Sequence, residues 1–166
     1  MKSGLIGFHF DPSKKPYETC DLFHPVRLES DALAKPGSSR NVLCVKTVAV
    51  IGASANRAKF GNKAVRAFKQ AGYTVFPVHP AQTEVEGLPC FKTIANVPER
   101  PNLVSVYLAP APLLEILSEI AAKGCDELWL NPGTDSAEVL EKAKRLGLKT
   151  VQTCSILAVG ISPSSL

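Results

Sequence analysis

No stretch of the sequence keeps about eighteen apolar residues together, as a membrane-crossing helix requires, and no two of its cysteines stand in a CxxC pair. The first absence predicts a cytoplasmic chain with no membrane partner. Gly4–Phe10 is too short for a signal-peptide core, and no small-residue cleavage site follows it. The five cysteines, Cys20, Cys44, Cys90, Cys125 and Cys154, are odd in number and scattered, which fits neither a disulfide framework nor a zinc ribbon. Reduced thiols are expected. An excess of charge is lacking too: 19 Lys and Arg face 15 Asp and Glu, leaving +4 and no dense basic stripe, which argues against a nucleic-acid partner and suits a small anion. His9, His24 and His79 lack metal-ligand spacing, and no GxSxG nucleophile elbow occurs.

What is present reads as a single globular domain. The chain has 166 residues, 45% hydrophobic and 20% charged, with no room for a second full domain. Composition changes near residue 46, where an arm over residues 1–45, with prolines, scattered aromatics and no period, gives way to a regular pattern. The β-branched run Thr47–Ile51 predicts a strand buried on both faces. A helix with an apolar stripe at Ala64, Val65, Ala67, Phe68 and Ala71 follows, stopped by Gly72. Then come strand Tyr73–Val78, a turn-rich stretch around Gly87 and Pro89, and strand Leu103–Leu108 ending in Ala109-Pro110-Ala111-Pro112. Helix Leu113–Lys123, strand Glu127–Leu130, loop Asn131-Pro132-Gly133, helix Ser136–Leu146 and strand Lys149–Gln152 complete the pattern. Strands alternating with amphipathic helices predict a Rossmann-like, doubly wound, mainly parallel sheet with helices on both faces.

In such a sheet ligands sit at the carboxyl ends of the strands. The loop Gly52-Ala53-Ser54-Ala55-Asn56-Arg57-Ala58-Lys59-Phe60-Gly61 follows the first strand and opens the first helix. Glycine allows close backbone approach, a helix start offers N–H donors and a positive dipole to a phosphate, and Ser54, Arg57 and Lys59 add a hydroxyl and charge. A plain strand-to-helix turn without a ligand is the alternative. The dinucleotide fingerprint is absent, since Ser54 holds the second glycine position, and no P-loop occurs. The second strand ends in Val78-His79-Pro80, without the acid that an NAD ribose wants.

Together, Gly52-Ala53-Ser54, Lys59-Phe60-Gly61-Asn62, Gly72 to Pro80, Glu86 to Phe91, Trp129-Leu130-Asn131-Pro132-Gly133 and Cys154-Ser155-Ile156-Leu157 resemble the stand-alone CoA-binding protein family. The same stretch is more distantly similar to the CoA-binding domain of the succinyl-CoA synthetase alpha subunit. The resemblance implies coenzyme A or an acyl-CoA as ligand, with its pyrophosphate against the Gly52-Ala53-Ser54 turn and the helix start that follows at Gly61, while Arg57 and Lys59 are the bases at hand for its phosphates. It implies adenosine near Val78 and Pro80, with the loop holding Ala109 and Pro110 closing the other side; His79 between them reads either as a residue that tolerates a phosphate or as an ordinary surface or packing histidine. One departure stands out. The synthetase pattern has a lysine shortly after Pro80, where this chain has Ala81-Gln82.

The synthetase's phosphohistidine and partner subunit lie outside this domain, and the chain ends at Leu166, so no catalysis is expected. Glu115, Glu119, Asp126 and Glu127 read as solvated helix faces and ends. Cys90 and Cys125 read as packing residues, whereas Cys154, just after the last strand, reads either as a buried small packing residue or as a thiol placed to meet that of CoA, in a mixed disulfide or protected by it, which would give a thiol-redox role. Two other readings stay open: an NAD(P)-type nucleotide or redox sensor, and a protein-interaction module that has lost its ligand. A homodimer also stays open.

Overall fold

The run Thr47–Ile51 forms β1, the strand whose carboxyl end anchors the site. The computed structural model describes residues 46–166, so the expected arm over 1–45, with His9, His24, Cys20 and Cys44, lies outside the described residues. After β1 come α1 (Phe60–Gln70), β2 (Thr74–Val78), the short hairpin β3 (Glu84–Val85) and β4 (Leu88–Pro89), and β5 (Leu103–Val106). The remainder is α2 (Pro110–Lys123), β6 (Glu127–Leu130), α3 (Ala137–Arg145), β7 (Thr150–Gln152) and the single-turn α4 (Ser155–Ala158).

β1, β2, β5, β6 and β7 run parallel in the order β2-β1-β5-β6-β7, the doubly wound, Rossmann-like α/β arrangement that the sequence predicts. Winding reverses between β1 and β5, and ligands bind in the crevice at such a switch point. Strand alternation sorts the core into two layers. Ala49 and Ile51 join Val104 and Leu128 beneath Leu113, Leu117 and Ile120 of α2 and Val139 of α3. Val48 and Val50 join Val75 and Leu103 against Val65 and Phe68 of α1 and Ile156 of α4. Pro77 is tolerated because β2 is an edge strand. Its carbonyl accepts from Phe91 N–H at 2.9 Å on the outer side, so its missing N–H costs no bond to β1.

Several boundaries differ from the sequence reading. α2 begins at Pro110 rather than Leu113, because proline in a first helical turn lacks only an N–H that had no intrahelical partner. β5 ends at Val106 rather than Leu108, although Tyr107 N–H still donates to Ile51 O at 2.8 Å before the chain turns. β2 starts at Thr74, β7 starts at Thr150, and Ser136 caps α3, its hydroxyl accepting from Val139 N–H. Ala64, Val65, Ala67 and Phe68 of the α1 stripe are fully buried, but Ala71 is an exposed C-cap. α4 was not foreseen, since one turn carries no readable period. Among the described residues no helix is long and apolar enough to cross a membrane.

Candidate functional site

The backbone draws β1, β2, β5 and α1 together at the switch point. Gly52 leaves β1 with φ +82°, and both Gly52 N–H and Ala53 N–H donate to Val78 O, at 3.1 and 3.3 Å. A Cβ on Gly61 would lie 2.1 Å from Gly52 O, so only glycine lets the start of α1 rest on this turn. The loop between them staples itself: Ser54 Oγ accepts from Asn56 N–H, and Asn56 Oδ1 accepts from Ala58 N–H. The fully buried Asn62 fixes it from below, its Nδ2 donating to Ser54 O at 2.8 Å and Glu86 Oε1 at 3.0 Å while its Oδ1 accepts from Arg66. No side chain caps α1, and no acid stands in its first turn. Its positive end therefore faces a cavity of about 260 Å³ lined by the Gly52–Ser54 turn, Lys59, Gly61 and His79.

Phe60, Tyr107 and Leu108 lead from this cavity into a second, of about 420 Å³, walled by Ala109, Asn131 to Thr134, and Cys154. Beneath it lies a buried polar network. Asn131 Nδ2 donates to Val106 O at 2.9 Å and Ser105 Oγ at 3.2 Å. Asn131 Oδ1 accepts from Ser155 N–H and Ser155 Oγ, at 2.9 and 2.8 Å. Ser155 Oγ also lies 2.8 Å from both Ser105 Oγ and Tyr107 OH. Burial pushes the Tyr107 phenol up to about 12 despite its hydrogen bonds with Ser155 and Ser105, so it stays a neutral hydroxyl.

Of the residues singled out from sequence, Gly52, Ala53, Ser54, Lys59, Gly61 and His79 line the first cavity, and Ala109 and Cys154 the second. Val78, Pro80, Arg57 and Pro110 line neither. Val78 acts through its carbonyl, Pro80 is exposed, and Pro110 opens α2. Arg57 Nε pairs with Glu86 Oε1 at 3.1 Å. His79 Nδ1 accepts from Ala81 N–H, which leaves Nε2 to carry the proton of the neutral ring. Cys90 and Cys125 pack against the two core layers. Burial pushes the Cys90 thiol up and the Cys125 thiol up to about 11, away from reactivity.

The sequence reading missed Phe60, Tyr107, Leu108, Thr134 and Ser155 as parts of this region. Two signals were available: Ser105, a polar residue inside the apolar run Leu103–Val106, and Phe60, an aromatic at the start of a helix. No group of three or more His, Cys, Asp or Glu side chains able to hold a metal occurs among the described residues.

A family model described as a CoA binding domain matches residues 46–160. The acetate–CoA ligase (ADP-forming) I of Archaeoglobus fulgidus is 30% identical over an alignment of 117 residues that covers 64% of this chain but only 17% of the ligase. The chain thus spans a small part of the curated relative it matches. Among solved structures, a conserved hypothetical protein from Pyrococcus furiosus has a TM-score of 0.63 at 28% identity, covering 68% of this chain and 97% of the other. A hypothetical protein from Pyrococcus horikoshii has a TM-score of 0.65 at 27% identity, covering 69% and 82%.

Proposed function

This chain belongs to the CoA-binding domain family, and from that premise we propose that it binds coenzyme A or an acyl-CoA without catalysing a reaction on it. The observation that carries the reading is the pair of adjoining cavities at the switch point, because their chemistry matches the two halves of such a ligand. The first supplies backbone N–H groups, the α1 dipole, the Ser54 hydroxyl and Lys59 to a pyrophosphate beside Gly52, Ala53 and Gly61. Adenosine would lie along Val78, His79 and Pro80. The second cavity, closed by Ala109 near Pro110, would take the pantetheine end. Arg57 would reach a phosphate only by leaving Glu86. With Ala81-Gln82 in place of a lysine, Lys59 is the cation on the wall of the first cavity.

A melting scan of the protein with CoA, acetyl-CoA, NAD and NADP tests this. CoA at a hundredfold excess over its dissociation constant stabilises by about 2.7 kcal/mol, whereas the nicotinamide cofactors produce no comparable shift. Silence from both CoA species removes the proposal, and a shift with NAD or NADP alone replaces it with a dinucleotide sensor.

A finer reading concerns Cys154, on the wall of the second cavity where the CoA thiol would lie. Supplied with CoA disulfide, the Cys154 thiolate attacks one sulfur, forming a mixed disulfide and releasing one CoA thiolate. Intact-protein mass spectrometry then gains the mass of one CoA, and Cys154→Ser takes up none. Equal uptake by that variant rules the exchange out.

A further inference from the structure

We infer that Lys92 is a specificity-determining residue for the ribose phosphate of the ligand, the charge by which the site tells coenzyme A from its dephospho form. The inference rests on the coenzyme A reading above and deepens it.

In a doubly wound sheet the adenosine ribose lies at the end of the second strand, where an acid binds a bare ribose and a cation accommodates a phosphorylated one. β2 runs out without an acid, in Val78-His79-Pro80, and the loop beyond it, Ala81-Gln82-Thr83, holds no cation. The chain returns to this end at Phe91. Phe91 bridges to Val78 in parallel, its N–H donating to Pro77 O and its carbonyl accepting from His79 N–H, both at 2.9 Å. It thus adds a single residue of strand outside β2, and Lys92 follows Phe91 in the direction in which His79 follows Val78. Side chains alternate here: Cys90 packs with the layer under α1 and Phe91 with the opposite layer, its ring centroid 6.0 Å from that of Phe76. Next in that alternation, Lys92 falls on the α1 side, where His79 lines the first cavity. The β3–β4 hairpin leads to the same place. Glu84 faces Pro89 and Cys90 N–H donates to Thr83 O, so the pairing runs toward Ala81-Gln82 on one side and Lys92 on the other.

Other cations around the first cavity have tasks already. Lys59 lines the cavity assigned to the pyrophosphate, and Arg57 pairs with Glu86. Lys63 donates to Pro163 O, Arg66 to Asn62 Oδ1 and Lys69 to Glu86 O. Lys92 is exposed and, among the described residues, pairs with no acid. Of the two acids in this stretch, Glu86 holds Arg57 and Asn62, and Glu84 faces Pro89. Beside Lys92, His79 accepts from Ala81 N–H at Nδ1, which leaves its Nε2–H as a donor. An ammonium and an imidazole N–H together suit a phosphate dianion. A bare ribose hydroxyl gains nothing from the charge. A lysine on its flexible stem reaches such a phosphate as a point charge and needs no enclosed pocket.

Calorimetric titration of the full chain with CoA, dephospho-CoA, NADP and NAD tests this role. CoA is expected to bind at least about fivefold tighter than dephospho-CoA, about 1 kcal/mol, the upper end for an exposed ion pair. Lys92→Gln weakens CoA by about that factor and leaves dephospho-CoA unchanged, whereas Lys92→Arg keeps the difference. Added salt narrows the gap between the two ligands in the wild-type chain. Equal affinities for CoA and dephospho-CoA, a gap that survives Lys92→Gln, or equal loss of both ligands in that variant each overturns the role of Lys92 while leaving CoA binding in place. Failure of both CoA forms to bind overturns the underlying reading and this inference with it. So does a Lys92-dependent preference for NADP over NAD in a chain that binds neither CoA form.

Discussion

Asn131 is 4% exposed, and its amide hydrogen-bonds to Ser105, Val106 and Ser155, so a single side chain ties β5, the end of β6 and the start of α4 together. Truncating it removes partners from groups that water reaches poorly. Asn131→Ala leaves the Ser155 N–H and the Val106 carbonyl unpaired, and each buried unsatisfied group costs about 1–3 kcal/mol. The expected loss is about 2–5 kcal/mol, read as a lower urea midpoint at unchanged slope. A loss below about 1 kcal/mol, the scale of one ordinary hydrogen bond, shows that water replaces the amide. The sequence names Asn131 within Asn131-Pro132-Gly133 but gives it no place in the site, because its partners Ser105 and Ser155 stand 26 and 24 residues away. Ser54 and Lys59 were legible, since their neighbours are close in sequence.

The contact between α1 and β1 works at the scale of elements. Gly61 lets the helix start lie on the Gly52 carbonyl, and a Cβ there would stand 2.1 Å from that oxygen, with Gly52 C at 3.1 Å. Both obstacles are backbone, and neither turns aside as a flexible side chain does. Gly61→Ala must shift α1 along the sheet, at an overpacking cost of about 1–3 kcal/mol or more. That shift also moves the Gly52–Ser54 turn away from the N–H groups of the helix, so the melting shift with CoA is expected to disappear even where the variant remains folded. A CoA shift preserved in Gly61→Ala would separate the pyrophosphate from this helix start. Elements were legible wherever period and punctuation agree, as in β1 and in the buried stripe of α1. α2 was misplaced at its start because Ala109-Pro110-Ala111-Pro112 looks like loop punctuation, although proline suits a first helical turn. α4 is too short to carry a pattern.

At the scale of the whole molecule, the order of strands and helices was readable because each β-branched run had to be covered on both faces. The joining of two cavities through Phe60, Tyr107 and Leu108 was not, because three separate parts of the chain meet there. Among the described residues, both core layers draw on side chains from Val48 onward. Among the described residues no buried side-chain nitrogen or oxygen lacks a hydrogen-bond partner. Among the described residues, then, apolar side chains pack on both faces of the sheet and buried polar groups have partners, two conditions for cooperative folding. We propose that residues 46–166 form a domain, and a fragment beginning at Lys46 tests it. The fragment is expected to unfold in one transition in urea, with coincident fluorescence and circular dichroism curves, and to bind CoA within about twofold of the full chain, a difference of about 0.4 kcal/mol. Non-coincident curves would mean that residues 1–45 complete the core. A single transition with affinity reduced about tenfold or more, equivalent to about 1.4 kcal/mol, would instead assign those residues to the ligand site.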